Sequence, residues 1–245
     1  MPTATELDRY FDTAFPKEIG MPGDTGGIML LADSGSSDTV VCALDVTGPA
    51  LRECVSRGAG ILVTHHPLFF GSLDSVRCDT PEGKLLIFAA RHGISLLAYH
   101  TRLDEVAGGV NDCLCRAIGL SEFRTLGCCS RIGTLPFPVD AGEFAANIGK
   151  SLDSDRVMLF RHRDSSSVVA VCSGSGGGIL RDAYLAGADT LVVGEAKYGC
   201  EKDSAEYGIN LITAGHRETE QPVLPFLADT VRRGFPGTEV FTFYA

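Results

Sequence analysis

The stretch Ile61–Phe70, ILVTHHPLFF, sets two adjacent histidines and a proline directly behind an apolar run. Ile61, Leu62 and Val63 are β-branched or bulky and unbroken by polar residues, the pattern of a strand buried on both faces. Pro67 cannot donate to a sheet ladder and holds His66 extended, so pairing stops there. In open α/β sheets, ligands gather just beyond the carboxyl ends of the strands. His65 and His66 stand at such a position, where two imidazoles no longer need to alternate between faces.

Working outward, short apolar runs alternate with longer amphipathic ones. The pattern predicts strands at 27–32, 39–46, 60–65, 94–100, 157–162, 168–172, 190–194, 210–215 and 239–244. It predicts helices at 48–59, 81–93, 109–119, 142–152, 177–188 and 221–234, with an N-terminal amphipathic helix whose Leu7, Tyr10, Phe11 and Ala14 share a face. Thr3 or Thr5 would cap that helix. Strand–helix alternation argues an α/β fold with largely parallel pairing. The segment CCSRIGTLPFPVDAG (128–142) reads as a seam, giving a first lobe over 1–127 and a second over 128–245.

Composition narrows the function. The 245 residues carry 21 Lys and Arg against 31 Asp and Glu, a formal charge of −10, which disfavours nucleic acid and anionic membrane surfaces as partners. No apolar run approaches bilayer length, and the N-terminus lacks the basic and apolar regions of a signal peptide. The nine cysteines include no CxxC pair, which fits reduced thiols in a cytoplasmic protein.

Only six histidines exist, and four, His65, His66, His100 and His216, stand at predicted strand ends. AYHTRLDEV (98–106) adds Asp104, and AGHRETEQP (214–222) adds Glu220, four residues after His216. On a helix beginning near Arg217 that spacing places imidazole and carboxylate on one face, with Glu218 pointing elsewhere. Neutral imidazoles with carboxylates suit zinc, manganese or iron. Spacing alone does not bring residues 65, 104 and 216 together. His92 and His162 read as ordinary structural histidines. The glycine-rich CSGSGGGILRDA (172–183) is either a tight strand-to-helix turn or an anion cradle at 174–178. Glu195 and Lys197 follow a strand, either facing the same cleft or lying on the surface. No G-x-S-x-G elbow supports a serine hydrolase.

Taken in order, THHPL, HTRLD…GGVND and GHRETE resemble the GTP cyclohydrolase I type 2 homologue family, also described as dinuclear metal-centre hexameric proteins. The resemblance spans essentially the whole chain, in the compact form without an inserted domain. It implies two similar α/β lobes with a metal site in the cleft between them and assembly as a homo-hexamer. It also implies two divalent cations (zinc, iron or manganese) on His65, His66, Asp104, His216 and Glu220. His100 and Glu195 would then orient ligands or substrate. The implied function is a metal-dependent hydrolase of a nucleotide-like, phosphorylated or heterocyclic small molecule. The alternative is a non-enzymatic metal-binding assembly or regulatory protein. The family's Asn-Gly-Leu-Gln-type segment is replaced here by DTGGIMLLADS (24–34), so contacts made there are not carried over.

Overall fold

The computed structural model describes residues 1–32 and 36–244. In chain order the elements begin α1 (Ala4–Ala14), β1 (Gly26–Leu30), β2 (Thr39–Ala43), α2 (Gly48–Arg57), β3 (Ile61–Thr64), α3 (Pro81–Arg91), β4 (Ser95–Tyr99) and α4 (Thr101–Glu105). They continue with α5 (Val110–Ala117), β5 (Glu122–Gly127), β6 (Ser130–Asp140), α6 (Ala141–Leu152), β7 (Met158–Phe160), β8 (Ser165–Cys172), α7 (Leu180–Leu185) and β9 (Thr190–Val193). Last come α8 (Tyr198–Tyr207), β10 (Asn210–Thr213), α9 (His216–Glu220), α10 (Leu224–Gly234) and β11 (Glu239–Phe243).

Helix starts follow from local chemistry. Thr3 caps α1 by accepting from the Glu6 amide at 3.1 Å, and the Glu6 carboxylate accepts from the Thr3 amide at 2.9 Å, a capping box. Thr47 and Thr80 cap α2 and α3, each followed by a proline in the first turn where its missing N–H costs nothing. Asp140 caps α6 through the amides of Gly142 and Glu143.

The chain divides into two compact units, Met1–Val106 with Leu224–Ala245, and Ala107–Val223. The boundary therefore differs from the seam expected at 128–142. That segment starts at the turn of the β5–β6 hairpin and carries β6, which pairs with β5 from Glu122↔Thr134 to Gly127↔Ser130 inside the second unit. The C-terminal α10 and β11 belong to the first unit, because β11 runs parallel to β2 over five residue pairs.

The first unit carries a five-stranded sheet in the order β1-β4-β3-β2-β11, parallel except for β1. Every residue of β2, β3 and β4 is buried, as expected of parallel strands covered on both faces. Val41, Ala43, Leu62 and Leu96 meet α2 and α3 through Leu51, Cys54, Leu86 and Ala89. Elsewhere in the unit, Phe11, Phe15 and Tyr99 form an aromatic group, the Phe11 and Tyr99 rings 4.5 Å apart.

The second unit carries a six-stranded sheet, β5-β6-β8-β9-β10-β7, parallel across β8-β9-β10 and antiparallel elsewhere. Its residues alternate with period two. Val169, Val171, Val192 and Ile212 join one core with Phe144 and Ile148, whereas Ala170, Leu191, Val193 and Leu211 join another with Leu180 and Ala183. The fold is thus α/β with two mixed sheets, and each unit has parallel central strands whose carboxyl ends carry polar residues. No helix among the described residues is long and apolar enough to cross a membrane.

Candidate metal centre

In the first unit β3 stops at Thr64, but the His65 and His66 amides still donate to Ala43 and Leu44 carbonyls at 3.3 and 2.9 Å. The Thr64 hydroxyl donates to the His66 carbonyl at 2.7 Å and fixes the bend. His65 is fully buried and His66 half-buried, their ring centroids 4.5 Å apart. His100, the residue after β4, completes a triangle with centroids 5.3 Å from His65 and 5.6 Å from His66. Ring nitrogens of the three lie within 4.8 Å of one another, close enough for a cation to join them. β3 and β4 are adjacent parallel strands, so their carboxyl ends bring these side chains together.

Two carboxylates grip this group from behind. Asp45 Oδ1 is 2.8 Å from His66 Nδ1, and Asp24 Oδ1 is 2.8 Å from His100 Nδ1. A carboxylate on Nδ1 favours the tautomer protonated there and leaves the Nε2 lone pair for a ligand role. Asp24 also accepts from the Thr101 amide at 2.8 Å and hydroxyl at 2.5 Å. Burial raises the Asp24 carboxyl, but the Thr101 hydroxyl, the His100 ring and the Thr101 amide outweigh it and hold it below the usual carboxylate value. Asp104, buried on α4, places Oδ1 3.7 Å from His65 Nε2.

The second unit builds a smaller group. Gly215, in left-handed backbone at φ 91°, turns the chain from β10 into α9, which starts at His216 itself. The i, i+4 spacing sets His216 Nε2 3.2 Å from Glu220 Oε1. On the other side of the ring, Glu195 Oε2 is 3.3 Å from His216 Nδ1 and accepts from the Ser175 hydroxyl at 3.1 Å. Gly174 passes so close that an added Cβ would collide with Glu220 Oε1 and lie 3.0 Å from His216 Nε2. Thr219 ties the turn down, accepting from the Gly174 amide at 3.1 Å and donating to the Gly215 carbonyl at 2.9 Å. As the spacing predicts, Glu218 points away, pairing with Arg217 at 3.1 Å.

The donors fit a borderline divalent cation in kind: neutral imidazoles with two buried carboxylates, and outer nitrogens already tied to acids. His92 and His162 stand apart, His92 against Phe88 and His162 on the Ser204 hydroxyl. Tyr99 is likewise structural: its hydroxyl donates to Asp8 at 2.8 Å, and burial with the Asp8 charge pushes its titration well up.

A family model described as Duf34/NIF3 (NGG1p interacting factor 3) matches residues 2–244. The chain belongs to the Duf34/NIF3 family. It is 26% identical over 227 residues to a Streptococcus pneumoniae protein named GTP cyclohydrolase 1 type 2 homolog, covering 87% of this chain and 84% of that one. A Deinococcus radiodurans protein of the same name is 32% identical over 191 residues, 74% of this chain and 70% of the relative. A Bacillus cereus protein related to NIF3 shares the fold with a TM-score of 0.90 at 21% identity, covering 100% and 97% of the two chains. A Thermus thermophilus protein does so at 0.88 and 24%, covering 100% and 98%.

Within this Duf34/NIF3 chain, the sequence pattern marked neither Asp24 nor Asp45 as a partner of a histidine, and it marked Gly174 and Ser175 only as part of a turn or anion cradle, not as neighbours of His216, Glu220 and Glu195. Asp45 had a signal: it follows β2 as His66 follows β3, two residues beyond a neighbouring parallel strand. Asp24 had none, since it lies in the segment where the chain departs from the family pattern.

Proposed function

We propose that this Duf34/NIF3 protein is a dinuclear metal-dependent hydrolase whose two divalent cations, zinc, iron or manganese, are held by His65, His66, Asp104, His216 and Glu220. What carries the reading is the carboxylate behind two of the proposed ligand histidines: Asp45 on His66 Nδ1 and Glu195 on His216 Nδ1. Structural histidines have no need of an acid on each outer nitrogen; ligand histidines gain orientation and basicity from one. When bound, a cation pair supplies Lewis acidity and a water activated near neutral pH. The chain's part is positional. Asp45 and Glu195 hold their rings in one tautomer. His100, half-buried and tied to Asp24, is placed to hold a proton at Nε2.

The substrate class is a nucleotide-like, phosphorylated or heterocyclic small molecule. Relatives carry the name GTP cyclohydrolase 1 type 2 homolog, and hydrolytic opening of a GTP ring falls within that class. The same reading carries a homo-hexameric, cytoplasmic protein. The family description as an interacting factor favours a second reading, a metal-binding assembly or regulatory protein without turnover.

The test measures metal content on protein purified without added ions, alongside Glu220→Ala, and screens turnover over nucleotides, phosphoesters and cyclic amides. Two ions per chain, falling in the variant, with hydrolysis of one class is the expected result. A well-folded protein holding far less than two ions, unchanged by Glu220→Ala, would sink the dinuclear centre. Metal without turnover transfers the conclusion to the second reading.

A further inference from the structure

The β5–β6 hairpin turns through two residues only, Cys128 and Cys129, between the paired Gly127 and Ser130. Their sulfurs are in contact at 3.5 Å. Cys128 is exposed and Cys129 half-buried. Cys129 adopts φ 52°, left-handed backbone that suits glycine or asparagine and costs most other residues about 1–2 kcal/mol. Asp153, at φ 50°, ends helix α6, where a short polar side chain tolerates that conformation; cysteine has no such local compensation. Backbone strain of this kind points to a use for the side chain it presents. The turn is also pinned: Cys172 Sγ donates to the Cys129 carbonyl at 3.2 Å. Beside it, Ser130 is buried with its hydroxyl lacking a hydrogen-bond partner among the described residues.

Two neighbouring thiols can close into a disulfide or chelate a soft cation, and geometry separates these. Disulfides favour Cα atoms ~5.5 Å apart and sulfurs at ~2.05 Å, whereas residues adjacent in sequence are held at ~3.8 Å. Ring closure would therefore strain a turn already in an unfavourable conformation. A tetrahedral cation with ~2.3 Å metal–sulfur bonds instead wants its two sulfurs ~3.8 Å apart. The observed 3.5 Å already lies near that bite. Thiolate donors select zinc and its softer relatives over the hard cations that carboxylates prefer.

We propose that Cys128 and Cys129 form a surface chelate for a thiophilic divalent cation. Each thiol loses its proton to solvent as the cation binds. The site differs in donor chemistry from the imidazole and carboxylate groups above and does not depend on the hydrolase reading.

The test titrates the reduced, full-length protein with Cd2+, following the thiolate-to-metal charge-transfer absorption. The band is expected to saturate at one equivalent in the parent protein and in Cys78→Ser, which removes another exposed thiol. Cys128→Ser and Cys129→Ser should each weaken binding at least tenfold. A second measurement uses the parent protein alone: Cd2+ should shield Cys128 and Cys129, but not Cys78, from iodoacetamide, read by peptide mass mapping. A band that survives in Cys128→Ser/Cys129→Ser, or a pair left unshielded at saturation, overturns the proposal.

Discussion

At Gly174 the backbone runs at φ 57° beneath the His216–Glu220 pair, and any Cβ there would enter the space of the Glu220 carboxylate. Gly174→Ala therefore combines ~1 kcal/mol of backbone cost with displacement of a proposed ligand. The expected result is a folded protein with at least tenfold weaker zinc binding, measured by competition with a chromophoric chelator. Unchanged affinity would remove Glu220 from the ligand set. Asp45 offers a complementary case, because its side chain is 44% exposed while its carboxylate pairs with the His66 ring. Asp45→Ala should leave the melting temperature within a few degrees yet lower metal affinity ~10–100-fold, the usual effect of losing a carboxylate behind a ligand histidine. Asp45→Asn, which keeps an acceptor, should recover part of the loss. A thermal shift without an affinity change would make Asp45 a structural residue.

Among the elements, α1 shows how charge ties a peripheral helix to its unit. Asp12 on α1 is 2.8 Å from Arg102 Nη1, and Arg102 is itself buried, with Nη1 also donating to the Phe15 carbonyl. Lys17 adds a second cation at 3.0 Å. Burial raises the Asp12 carboxyl, but Arg102 and Lys17 outweigh it and hold it below its ordinary value. A carboxyl depressed in the folded state contributes stability that is present above its unfolded value, about pH 4, and lost as pH falls through the folded one. Asp12→Ala leaves a buried guanidinium short of a carboxylate and should cost about 2 kcal/mol at neutral pH, less than a fully buried pair because Asp12 is partly solvated. In denaturant titrations the gap between parent and variant should narrow from pH 4 downward; a gap constant across that range would contradict the assignment. The elements themselves were largely legible. Ile61–Thr64, Thr190–Val193 and Asn210–Thr213 are short, fully buried segments centred on two or three consecutive large apolar residues, so a strand is their natural outcome. β5 was not legible, because only Phe123 and Leu126 of EFRTLG, three positions apart and out of step with a strand's period of two, are half-buried and the rest face solvent. The histidine groups were legible because strand ends concentrate them. Their carboxylate supports were not, since an aspartate in a loop ordinarily reads as a turn or cap residue.

For the whole molecule, the decisive feature is that the second unit is one continuous segment and the first is not. The placement of β11 beside β2 closes the first unit with residues more than a hundred positions away from the rest of it, and no local pattern encodes that pairing. α10 and β11 bury Leu224, Leu227, Ala228, Val231 and Val240, while Phe226 approaches Phe15, just past α1, and Phe235 approaches Tyr10 on α1. At ~1.5–3 kcal/mol for each of the four large apolar side chains, that burial amounts to roughly 6–12 kcal/mol, comparable to the entire stability of a domain. A chain ending at Val223 should consequently lose the first unit while keeping the second. Hydrogen exchange read by mass spectrometry tests this directly: amides of 39–43 and 61–64 should lose protection, and those of 169–172 and 190–193 should retain it. If both sets lose protection together, the two units fold as one cooperative body; if neither does, the C-terminal strand is dispensable and the first sheet is stable on its four remaining strands.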